Sequence, residues 1–134
     1  MATSHSMNGT LQMTHDTVGG TVAFFKTLSD PNRLQIFAQL MRGDTCNCEL
    51  AERLGMQANL LSHHLKVLSE AGLVTSRRDQ VDGRWIYYSI NRAAVARWQV
   101  FLQEFLDPSN IEERPLCGPE GQCEIETDRV GCLA

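Results

Sequence analysis

The chain has 134 residues, 43% of them hydrophobic, which predicts one domain with tails and a core of modest size. No apolar run approaches the ~18 residues that span a bilayer, and the N-terminus lacks a signal-peptide pattern, so neither a membrane nor a secreted protein is expected and a cytoplasmic location is. The net charge of −4 does not exclude a nucleic-acid partner, because residues 1–106 carry ten Lys/Arg against nine Asp/Glu while residues 107–134 carry two against seven.

Three regions are expected: a flexible polar arm over residues 1–16, a folded domain over 17–107, and an acidic, cysteine-containing tail over 108–134. In "DTVGGTVAFFKTL", Val18, Val22, Phe25 and Leu28 fall at helical spacing, although Gly19 and Gly20 weaken the helix. "SDPNRLQIFAQLMRG" predicts a second helix, capped by Asp30, opened by Pro31 and ended by Gly43, with Leu34, Phe37, Leu40 and Met41 as its buried face. "CELAERLGMQANLLSHHLKVLSEAGL" holds two helical patterns joined at Gly55. Ala51 is small enough for a helix crossing, Gly55 tolerates positive φ in a turn, and Leu61 anchors the second helix, which together predict a helix-turn-helix. Leu61, Leu65 and Leu68 form the inner stripe and Gly72 closes the helix. Residues 74–78 and 84–90 are rich in β-branched and aromatic side chains, and residues 79–83 between them carry Asp-Gly turn chemistry, so a β-hairpin wing follows. Asn91 caps a last helix with Trp98, Phe101, Leu102 and Phe105 on one stripe, and Pro108 ends it. The expected fold is mainly α with a β-hairpin wing: a winged helix-turn-helix, whose amphipathic first and last helices suit a homodimer.

A recognition helix reads base edges with side chains that point away from the core. Here those are Gln57, Asn59, Ser62, His63 and Lys66, and Gln and Asn pair bidentately with adenine. Arg77, Arg78 and Arg84 flank the wing turn, where guanidinium forks grip phosphate. The alternative for both sets is a solvated polar face. His64 is expected to pack near the helix crossing. No GxxxxGKS/T, HExxH or GxSxG motif is present, and Ser62 beside His63 is sequence adjacency alone, so no enzyme is expected.

The thiols are the unusual feature. Cys46 and Cys48 stand one residue apart at a helix start, where partial positive charge suits thiolate, and a CxC ring is too tight for a good disulfide. Thiolates select soft ions, and two are too few for a tight site. The tail adds Cys117 and Cys123 around "GPEGQ", and more remotely Cys132. One tail cysteine completes three sulfurs for As(III) or Sb(III); two complete four for Cd(II), Pb(II) or Zn(II). The alternative is that Cys46 and Cys48 are small buried hydrophobes.

From about Val18 to Leu106 the chain resembles the ArsR/SmtB family of winged-helix repressors. "LSDPNRLQIFAQL" is similar to the family's second-helix signature, "CNCELAERLGMQANLLSHHLKVLSEAGLV" to its DNA-binding core and "DGRWIYYSI" to its wing. The resemblance implies a homodimeric repressor that an inducer releases from double-stranded operator DNA. "TCNCELA" is similar to the "CVCDL" box of the arsenic, cadmium and lead sensors. The third cysteine of the arsenic-type box falls on Ala51, which implies that a further ligand comes from the tail. The last helix lacks the Asp-x-His pair of the zinc and nickel sensors. Two competing functions are a thiol-redox repressor on the same cysteines and a soft-metal buffering or delivery protein.

Overall fold

The computed structural model describes residues 13–114 and 116–119. Most of the arm expected over residues 1–16, and Cys123 and Cys132 with most of the tail, lie outside the described residues. The described chain forms α1 (His15–Leu28), α2 (Pro31–Leu40), β1 (Thr45–Cys46), α3 (Asn47–Leu54), α4 (Ala58–Glu70), β2 (Val74–Arg78), β3 (Ile86–Ile90) and α5 (Arg92–Phe105), then a short 3-10 turn at Pro108–Asn110. Among these, no helix is long and apolar enough to cross a membrane.

Capping chemistry fixes the helix ends as the sequence predicts. Asp30 Oδ1 accepts from the backbone N–H groups of Asn32 and Arg33 at 2.8 and 3.1 Å, with Pro31 opening α2. Those bonds, the Arg33 N–H foremost, hold the Asp30 carboxyl below the ordinary carboxylate range. Gly55 closes α3 in the left-handed conformation, φ 59°, and so turns the chain into α4. Asn91 caps α5 through the Ala94 N–H and donates its own amide to the Gly72 carbonyl at 2.9 Å, which joins the end of the wing to the end of α4.

The core packs Ile36, Leu50, Leu61, Leu65, Leu68 and Leu73. The inner stripe of α4 is therefore as expected; that of α2 is so only in part. Leu34 and Met41 are 51% and 53% exposed, while Ile36 and Leu40 are buried. Of the expected face, Leu40 is in the core and Phe37 packs against it, whereas Leu34 lies about 200° around the helix from Ile36 at 100° per residue and so faces away from the core. In α1, Val18, Val22 and Phe25 of the predicted stripe are 42%, 45% and 47% exposed, whereas Leu28 packs against the core. Thr21 is buried, and Phe24 stacks on Trp98 of α5 with ring centroids 4.0 Å apart.

The wing is part of a three-stranded antiparallel sheet of order β1-β3-β2. β3 pairs with β2 from Ile86↔Arg78 to Ile90↔Val74 and with β1 through Tyr88↔Thr45 and Tyr87↔Cys46. The sequence had not indicated β1: two residues are too few for an alternation pattern.

Candidate functional site

On α4, Leu61, His64, Leu65 and Leu68 turn inward and Gln57, Asn59, Ser62, His63 and Lys66 are all exposed. The five candidate DNA-reading residues thus lie on the outer side of one helix. His64 ties α4 to the first turn of α2: the Arg33 guanidinium lies 3.5 Å from its Nδ1 and the Asn32 amide 3.4 Å from its Nε2. A buried side chain on one helix with partners on a second restrains the angle between the two.

The wing arginines differ in their partners. The Arg77 guanidinium stands 4.5 Å over the Tyr87 ring. Arg78 Nη1 donates to the Gly83 carbonyl at 2.7 Å. Arg84, 90% exposed at its side chain, donates Nε and Nη2 to both oxygens of Asp82, the shorter contact being 2.8 Å. That fork holds the Asp82 carboxyl low and raises Arg84. At the base of the tip, Asp79 Oδ1 accepts from the N–H groups of Val81 and Asp82 at 2.7 and 3.1 Å, and these bonds lower its carboxyl in turn.

The thiols stand at the β1–α3 junction. Cys46 is half-buried, ends β1 and caps α3, with its Sγ accepting the Glu49 N–H at 3.4 Å. Cys48, in the first turn of α3, is exposed. Glu49 is held by the Thr45 hydroxyl at 2.7 Å and by Arg53 at 2.7 Å, which lower its carboxyl and keep it an anion beside the thiols. Cys117 is exposed. Among the described residues, no group of three or more His, Cys, Asp or Glu side chains is assembled around a common point. Two residues at this junction escaped the sequence reading: Asn47, whose Oδ1 accepts the Ile86 N–H at 3.5 Å, and Tyr87, the pairing partner of Cys46. Only the position of Asn47 between two cysteines marked it.

A helix-turn-helix with a hairpin wing, exposed polar side chains on its second helix and thiols at the start of its first defines a winged-helix regulator. The family model "Bacterial regulatory protein, arsR family" matches residues 30–76. The arsenical resistance operon repressor of Bacillus subtilis is 43% identical over 68 residues, 50% of this chain and 62% of that one. The nodulation protein NolR of Rhizobium meliloti is 30% identical over 114 residues, 84% of this chain and 91% of that one. The cadmium resistance transcriptional regulatory protein CadC of Listeria innocua is 38% identical over 73 residues, 54% and 59% of the two chains. Among solved structures, reduced HlyU from Vibrio cholerae superposes with a TM-score of 0.58 at 26% identity, over 72% of this chain and 99% of that one. The homodimeric winged helix-turn-helix DNA-binding domain of a possible ArsR-family regulator from Mycobacterium bovis gives 0.55 at 29% identity, over 77% and 93%. The chain belongs to the arsR family of bacterial regulatory proteins. It spans about half to three fifths of the length of the first curated relatives it matches.

Proposed function

We propose that the chain is a homodimeric, operator-binding transcriptional repressor that lets go of DNA when a soft metal(loid), As(III) or Sb(III), is captured by Cys46, Cys48 and a tail cysteine. The observation that carries the reading is position: two thiols, one half-buried and one exposed, stand at the junction that leads directly into the helix-turn-helix. Soft thiolates fit such ions, and a trivalent metalloid takes three sulfurs. Cys117 ranks first as the third ligand, Cys123 next and Cys132 last, in order of distance along the chain from the folded body. The outer residues of α4 enter the major groove, and Arg77, Arg78 and Arg84 hold phosphate. A four-sulfur site for Cd(II), Pb(II) or Zn(II) is the second reading, favoured by the similarity to a cadmium regulator.

A gel-shift titration with arsenite, antimonite and cadmium tests this on the parent chain and on Cys46→Ser, Cys48→Ser and single replacements of each tail cysteine. The parent is expected to lose operator affinity at least about tenfold, a differential of only ~1.4 kcal/mol between free and loaded states. Cys46→Ser and Cys48→Ser should bind operator and ignore the ion. An operator complex that survives all three ions sinks the mechanism.

A further inference from the structure

The central strand of the wing carries a residue that faces both halves of the proposed switch. Tyr87 of β3 is paired on one side with Cys46 of β1 and on the other with Arg77 of β2. Directly opposed residues of an antiparallel ladder present their side chains to the same face, so Cys46, Tyr87 and Arg77 form one row across three strands. Two further contacts fix the ring. The Arg77 guanidinium covers it at 4.5 Å, and its hydroxyl donates to Asp79 Oδ2 at 3.4 Å, the carboxylate that also gathers the wing-tip N–H groups. A parallel tie runs from Asn47, between the two cysteines, to the Ile86 N–H at the start of the same strand. β1 is only two residues long, so a change of backbone at Cys46 acts directly on its pairing with β3.

We propose that Tyr87 is a positioning residue that couples the thiol box to the wing: its ring holds Arg77 toward the phosphate backbone in the ion-free chain, and its pairing with Cys46 passes ion capture on to that hold. The coupling rests on the operator-release reading, whereas the hold on Arg77 does not.

The full chain is used in two arms. Without ion, operator affinity is measured by fluorescence anisotropy for the parent, Arg77→Ala, Tyr87→Val and the double variant; valine keeps the strand preference and removes the ring. The double variant is expected to bind within about twofold of Arg77→Ala, since one residue acts through the other. Losses that multiply overturn the hold. With ion, arsenite and cadmium are titrated, following thiolate–ion absorbance for capture and anisotropy for release. Tyr87→Val should capture the ion as the parent does, yet its release should fall from roughly tenfold to under about threefold. Tyr87→Phe, which keeps the ring, should release like the parent. Equal release by Tyr87→Val and the parent overturns the coupling and leaves the operator-release reading standing. If neither ion releases the parent, that reading falls and the coupling with it. Tyr87→Leu serves both arms should Tyr87→Val fail to fold.

Discussion

Arg84 meets a carboxylate of its own turn before it meets any phosphate. The Asp82 fork is a surface pair and contributes little to stability. Its consequence lies in binding. A DNA phosphate that approaches Arg84 must either displace Asp82 or lie beside its negative charge. Asp82→Asn removes the charge but keeps an oxygen that can accept the Arg84 N–H, so the tip is preserved. The variant is expected to bind operator more tightly than the parent. Its log affinity should also fall more steeply with log salt, by up to about one unit of slope, as one further phosphate contact would produce. Anisotropy titrations across a potassium chloride series measure both, and an unchanged affinity and slope would remove Arg84 from the DNA interface. The sequence made the arginine legible as a wing charge. It did not show the pairing, because that depends on the turn in which the Trp85 N–H meets the Asp82 carbonyl at 3.0 Å and brings residues 82 and 84 face to face.

At the scale of elements, punctuation was more legible than facing. Asp30, Pro31, Gly55, Gly72 and Asn91 end or begin helices where the sequence puts them, because each acts through a local bond or a local φ. Which residues of α2 enter the core was only partly legible: Leu40 and Phe37 of the expected face pack inward, but Ile36 takes the central place there and Leu34 and Met41 stay exposed. Only the packing of α2 against α4 decides this. Truncation distinguishes Ile36 from Leu34. Ile36→Ala opens a cavity in a fully buried site and should cost about 2–5 kcal/mol, whereas Leu34→Ala should stay below about 1 kcal/mol. Urea unfolding followed by circular dichroism reads the difference; equal losses would return Leu34 to the core. β1 marks the same limit in another form. "TC" carries no strand signal, and it becomes a strand only because β3 passes beside it. The candidate thiol site was therefore visible as a motif, and its attachment to the wing was not.

For the whole molecule, the decisive feature is the apolar surface that the single chain leaves uncovered. Phe24 of α1 stacks on Trp98 of α5 and so joins the two helices, and along α5 Trp98 meets Phe101 edge-on and Phe101 stacks on Phe105. Val18, Val22 and Phe25 on one helix, and Val100 and Phe105 on the other, remain exposed. Scattered apolar residues need no explanation, but this many on adjoining helices is the pattern of an interface. A second copy is the occupant that suits an operator with two half-sites, which a two-fold dimer meets at a spacing of about 34–36 Å. Sedimentation should give twice the mass of the 134-residue chain, and the melting temperature should rise with protein concentration. Replacing Val22 and Phe25 together by Glu puts charge on that surface without changing a buried residue or α4. The variant should sediment as a folded monomer whose melting temperature no longer depends on concentration. Its operator affinity should fall by at least about a hundredfold, because the second half-site is no longer bound at the high effective concentration that linkage provides. A parent that sediments as a monomer, or a variant that remains a dimer, would leave the exposed faces of α1 and α5 without the role argued for them.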